Sequence, residues 1–195
     1  MICYDEGRKG GNMPRRRPEF RAGTLYHLYN KAVGTELLFR TPENYHYFLG
    51  RIQKYLTSDL YAFCLMPTHY HLIIQLDEKD LSNQMQRLAM SYVKAFNNRY
   101  HRVGHLFQGR FQAKIIQSDE YLIYLSAYIH NNPVIARLVD KPENWDYSSY
   151  QVFMGKAKSK IVNPEPILSI FSKGMKGSHQ LIQQDYRQYV ESWFL

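Results

Sequence analysis

The run LYAFCLM (60–66) is separated from HYHLIIQL (69–76) by Pro67 and Thr68 alone. Two apolar strand-like runs with so short a connection must pair as an antiparallel hairpin. A hairpin of this apolarity needs more sheet around it, and the flanking chain supplies it. TLYHLYNKAV (24–33) alternates as a first strand, and PENYHYFLGRIQKYL, opened by Pro42, has helical spacing with proline at the first position. Asp80 or Ser82 caps a long helix to about Tyr100, with Met85, Leu88, Ala89, Tyr92, Val93 and Phe96 on one face. LFQGRFQAKIIQ (106–117) reads as a fourth strand interrupted or bulged at Gly109. Ser118 caps a further helix that has Asp119 and Glu120 in its first turn and Asn132-Pro133 as its stop.

The first six of these elements follow the split βαβ pattern. The expected fold is α+β: a ferredoxin-like antiparallel sheet with helices on one face and the other face open. Residues 1–18, with little apolar periodicity and Arg15, Arg16 and Arg17 in a row, form a flexible basic arm. Residues 19–155 form the main domain. Residues 156–195 read as a linker and a small helical C-terminal extension with no chemistry of its own. Two full domains do not fit in 195 residues.

A net charge of +8 and a sequence pI near 9.4 suit a polyanionic partner, although an ordinary basic surface has the same composition. Cys3 and Cys64 are too few and too far apart for a disulfide framework or a four-thiolate zinc site, so a reducing, cytoplasmic setting is expected. No apolar run approaches the ~18 residues of a membrane span, and the N-terminus lacks the apolar core of a secretion signal.

Side chains alternate along a strand, so His69 and His71 share one face while Tyr70, Leu72, Ile74 and Leu76 take the other. Two imidazoles then lie within reach of one ion, though a pair of hydrogen-bonded structural histidines would produce the same pattern. In YLIYLSAYIHNNP (121–133), Tyr121, Tyr124, Leu125, Tyr128 and Asn132 follow three- and four-residue steps down one helical stripe. Read alone, that stripe is core packing. Read with the histidines, it offers an amide oxygen to complete an open coordination shell and a phenol beside it. A phenol with a pKa of about 10 is a weak nucleophile at neutral pH, and a metal-bound phosphodiester is an electrophile that it could attack.

PTHYHLIIQ resembles the His-hydrophobic-His motif of the HUH single-strand nucleases, and YIHNNPVIARLV resembles the tyrosine helix of the REP-associated tyrosine transposases. TLYHLYNKAVG, LFQGRF and WDYSSYQ also fit that family, so the similarity runs from about Arg15 to Gly155 in the same order. The resemblance implies an HUH-type fold in which His69, His71 and Asn132 bind Mg²⁺ or Mn²⁺ and Tyr128 attacks the phosphate. A DNA strand would then be joined through its 5′-phosphate to Tyr128, leaving a free 3′-hydroxyl. Rejoining would need no nucleotide cofactor, and GHLFQGRF, the nearest approach to a P-loop, lacks the Lys-Ser/Thr ending. Imidazoles alone would also suit zinc or nickel, so the ion's identity rests on the family. Tyr147 stands where many relatives carry Trp, and the C-terminal extension is only loosely similar.

The expected partner is single-stranded or hairpin DNA, with monomer favoured over dimer and no membrane. Arg15, Arg16 and Arg17 are expected DNA contacts by likeness to the family's basic arm, with Arg110 and Lys114 offering charge beside Phe111. Phe107 and Phe111 fit the core equally well. Two other functions fit the same chain: a catalytically idle, sequence-specific nucleic-acid-binding regulator on this fold, and a metallohydrolase using activated water. The hydrolase would want more His or Asp ligands near the first pair than HYHLII offers.

Overall fold

A computed structural model describes residues 19–78, 80–172 and 179–194. The expected elements are present as β1 (Leu25–Lys31), α1 (Pro42–Tyr55), β2 (Asp59–Met66), β3 (His69–Gln75), α2 (Leu81–Arg99), β4 (Gln112–Ile115) and α3 (Asp119–Ile135). The sheet order is β2-β3-β1-β4 with every neighbouring pair antiparallel, so β1 and β2 run parallel with β3 between them, the split βαβ arrangement. β4 is short because the chain bends through 108–111. Only an isolated bridge, Ala32 to Phe107, continues the pairing beyond the bend.

Period-two alternation sends β3 side chains into two different cores. Tyr70, Leu72 and Ile74 meet Phe48 and Ile52 of α1 and Met85, Leu88 and Tyr92 of α2. Ile73 on the other face joins Ala62, Cys64 and Met66 of β2 against Leu122, Leu125 and Ile129 of α3. The second face is therefore not left open along its β2 side, a correction to the one-sided arrangement expected from the sequence.

The segment after residue 155 is likewise no appendage. α5 (Glu165–Phe171) buries Ile167 and Leu168, and α6 (His179–Glu191) buries Tyr186 and Val190, all in the second core with Tyr150 and Phe153 of the one-turn α4 (Tyr150–Phe153). Apolar positions that look like two weak helical patterns in sequence are thus the partners that α3 requires. The outer edge of β2 is covered too, with Leu65 N–H donating to Tyr147 O at 2.9 Å and Ser149 N–H to Phe63 O at 3.0 Å.

α3 does not stop at Asn132. Pro133 cannot donate to the Ile129 carbonyl, but it sits so near the end that the last turn closes without it. Ala136 N–H donates to Asn132 O, and Leu138 N–H to Pro133 O, both at 2.9 Å. Asn132 is consequently a helical residue one turn after Tyr128. At the other end Ser118 caps as expected, accepting from Tyr121 N–H at 3.2 Å.

Candidate active site

Two residues along a strand advance about 6.6 Å and four along a helix about 6 Å, so the strand pair His69/His71 and the helix pair Asn132/Tyr128 can meet as two rungs. They do meet. The His71 and Tyr128 rings stand edge to face with centroids 6.1 Å apart, and the Asn132 side chain comes close enough to His69 to act on its ring. The two histidine rings are 5.1 Å apart and nearly perpendicular. The Asn132 amide Nδ2 donates to the Tyr128 carbonyl at 3.2 Å, which fixes the amide plane and leaves its oxygen for the histidine side. Thr68 Oγ1 lies 3.0 Å from His69 Nδ1.

β1 contributes three residues to this cluster that sequence reasoning passed over. Tyr29 pairs with His71 across the ladder, Lys31 with His69, and His27 with Ile73, so all three project to the histidine face. The signal was available in LYHLYNK, where His27, Tyr29 and Lys31 alternate with Tyr26, Leu28 and Asn30. Nothing in the sequence, however, gave the β1–β3 register that sets them beside the pair. His27 Nε2 lies 2.9 Å from His71 Nδ1, both rings being buried.

Burial is the main force on all three imidazoles, and it disfavours the charged form. It holds His71 well below its ordinary pKa, with the like charges of His27 and His69 adding to the effect. His27 is lowered to about 4 by burial and by the Lys114 ammonium. His69 is lowered by burial and by Lys31, partly opposed by the Asn132 side chain. Neutral imidazoles keep a lone pair available to a cation at neutral pH. Two neutral rings share one hydrogen bond only if one donates. When His71 Nδ1–H is the donor, its Nε2 carries the free lone pair that a metal needs.

The donor set fits a divalent cation with open positions: two imidazole nitrogens and one amide oxygen. It is uncharged, and among the described residues no three His, Cys, Asp or Glu side chains are grouped to hold a metal. A hard cation on such a set lacks neutralising ligands from the protein, and phosphate oxygens of a substrate are the natural complement.

Of the expected DNA contacts, Lys114 projects from β4 on the histidine side, opposite His27 in register, with Nζ 6.0 Å from the Tyr29 ring centroid. Arg110 is exposed in the bend before β4. Arg15, Arg16 and Arg17 lie outside the described residues. Phe111 stacks on Phe20 at 6.1 Å and, like Phe107, packs half-buried against the first core. Tyr147 stacks face to face on Tyr45 at 3.7 Å and packs against the first core, on the sheet face opposite the histidines, so its departure from the family's Trp leaves the cluster untouched. Among the described residues no helix is long and apolar enough to cross a membrane.

Residues 35–132 match the model of the family described as Transposase IS200 like. A Haemophilus influenzae protein named as a REP-associated tyrosine transposase is 34% identical over 100 residues, covering 46% of this chain. The chain spans 57% of that relative's length. A solved structure of a REP-associated tyrosine transposase bound to a REP hairpin superposes with a TM-score of 0.62 at 16% identity, over 77% of this chain and 98% of that one, which gives the fold.

Proposed function

The chain belongs to the IS200-like transposase family, and from that premise we propose that it is a metal-dependent enzyme that nicks and rejoins single-stranded DNA, with Tyr128 as its nucleophile. The observation that carries this reading is the approach of Tyr128 to His71 and of Asn132 to His69, which brings one stripe of α3 over the histidine face of β3. A core histidine pair has no need of a phenol and an amide in matching register.

His69, His71 and Asn132 would hold Mg²⁺ or Mn²⁺, which when bound polarises the scissile phosphate and offsets its charge. Tyr128 lies beside that position. Its oxygen forms a bond to phosphorus as the bond to the 3′-oxygen breaks, the phenolic proton being lost and the 3′-oxygen gaining one. The strand is left joined to Tyr128 through its 5′-phosphate. Attack by a 3′-hydroxyl reverses the step, so the exchange needs no nucleotide. The substrate is single-stranded DNA with hairpin-forming repeats, the class suggested by the structural neighbour's REP hairpin.

The test is to incubate the protein with Mn²⁺ or Mg²⁺ and a labelled single-stranded hairpin and to look for a covalent adduct on a denaturing gel. Tyr128→Phe should abolish the adduct, and His69→Ala or His71→Ala should lose it while retaining DNA binding. An adduct that survives Tyr128→Phe overturns the assignment. Binding without any adduct in the parent protein would instead leave a regulator on the same fold.

A further inference from the structure

The tyrosine stripe on α3 and the end of the chain have no part in the chemistry above, yet they run together up to it. Tyr121 and Tyr124 are nearly parallel with centroids 6.3 Å apart, and Tyr124 is 4.9 Å from Trp193. Trp193 is in turn 6.5 Å from Tyr128. Leu125, which the sequence places on the tyrosine stripe, turns with Leu122 and Ile129 into the second core, while Tyr128 and Trp193 pack against the edge of that core without being enclosed by it. Tyr121 is 39% exposed, and Tyr124, Tyr128 and Trp193 are half-buried. Trp193 reaches this position because Tyr186 and Val190 anchor α6 in the core and a short 3-10 turn, Ser192–Phe194, follows it.

We infer that Tyr121, Tyr124 and Trp193 form a stacking platform for the unpaired bases next to the phosphate held at Tyr128. The inference rests on the single-strand reading of the site and extends it. Aromatic faces at a water boundary suit nucleobases because every base offers a π face, which makes such contacts tolerant of sequence.

Lys31 and Lys114 supply complementary charge on the sheet face that carries the histidines. They act electrostatically on His69 and His27 from β1 and β4. A strand with its bases on the aromatics would direct its phosphates toward these lysines. Tyr121 and Tyr128 are about 10.5 Å apart along the helix axis, and stacked bases rise about 3.4 Å each, so two or three bases fit.

The test uses the full chain carrying Tyr128→Phe, so that binding is read without turnover, with Mn²⁺ present. The probes are a 12-nucleotide oligothymidine and an abasic strand with the same number of phosphates. The parent should bind oligothymidine about tenfold more tightly, and its tryptophan fluorescence should be quenched. Tyr121→Leu and Trp193→Leu should each lower oligothymidine affinity about fivefold or more and leave the abasic strand unaffected. Trp193→Phe should retain affinity but lose the quenching. Equal affinity of the parent for both strands would overturn the platform, as would loss of both strands in step on Trp193→Leu, which marks a packing residue. Because these variants cannot form the Tyr128 adduct, a failure of the nucleophile assignment would show only in the adduct assay.

Discussion

At the scale of single residues, the hydrogen bond between His27 and His71 has the most specific consequence. With Nδ1 engaged by His27 Nε2 at 2.9 Å, His71 offers its Nε2 lone pair to a cation only in the tautomer that donates from Nδ1, and His27 must then be the acceptor. Burial and Lys114 keep His27 neutral, so it stays able to accept. His27→Phe preserves the ring's shape and removes the acceptor, and is expected to weaken Mn²⁺ binding about 10-fold or more, as measured by calorimetry on the DNA-free protein. His27→Gln, which can still present an oxygen, should recover part of that loss. Unchanged Mn²⁺ affinity in His27→Phe would make the contact mere packing. His69 and His71 were legible in the sequence because strand alternation alone puts them on one face. His27 was not, because its role depends on a strand register that no local pattern encodes.

At the scale of elements, α3 is held in register by its C-terminal partners. His130 sits on it fully buried, with Nδ1 3.0 Å from Tyr186 Oη of α6 and Nε2 2.8 Å from Ser149 Oγ. Ser149 N–H in turn donates to Phe63 O of β2, and Asn131 Nδ2 donates to Val190 O of α6 at 2.8 Å. The same helix that presents Tyr128 is thereby tied to α6 and β2. The strand and helix order was readable from periodicity and caps. The docking of α5 and α6 was not, since amphipathic helices announce a buried face without naming its partner. Burial depresses the His130 pKa to about 3, whereas the unfolded chain titrates near 6.5. The unfolded state therefore binds more protons between these values. Stability is complete above about pH 6.5 and falls as pH drops toward 3, by up to about 1.4 kcal/mol per pH unit from this group. Thermal melts from pH 7 to pH 4 should show the parent losing stability more steeply than His130→Asn, which has no proton to gain. Parallel slopes would remove His130 from the account. The other groups around it, Tyr150 and Tyr186, are held neutral by burial throughout this range.

At the scale of the molecule, the sheet separates a first core closed by α1 and α2 from a second closed by α3, α5 and α6, and the candidate site lies where the second core ends. On that side β1 and β4 present Lys31 and Lys114, which gives the chain's excess charge of +8 a place to act. A single strand neutralised by Z cations loses affinity with a log–log salt slope of about −0.7Z. If Arg15, Arg16, Arg17, Arg110 and Lys114 each meet one phosphate, the slope is about −3.5, or roughly a hundredfold weaker binding at 200 mM than at 50 mM salt. Replacing the three arginines of the arm by serine should reduce the slope by about 2 and weaken binding to every single strand alike, since phosphate contacts carry no sequence information. Fluorescence anisotropy with one hairpin and one unstructured oligonucleotide over that salt range measures both quantities. A slope near zero in the parent would mean that the basic balance serves no phosphate. An unchanged slope in the serine variant would shift the contacts from the arm to the lysines that line the sheet.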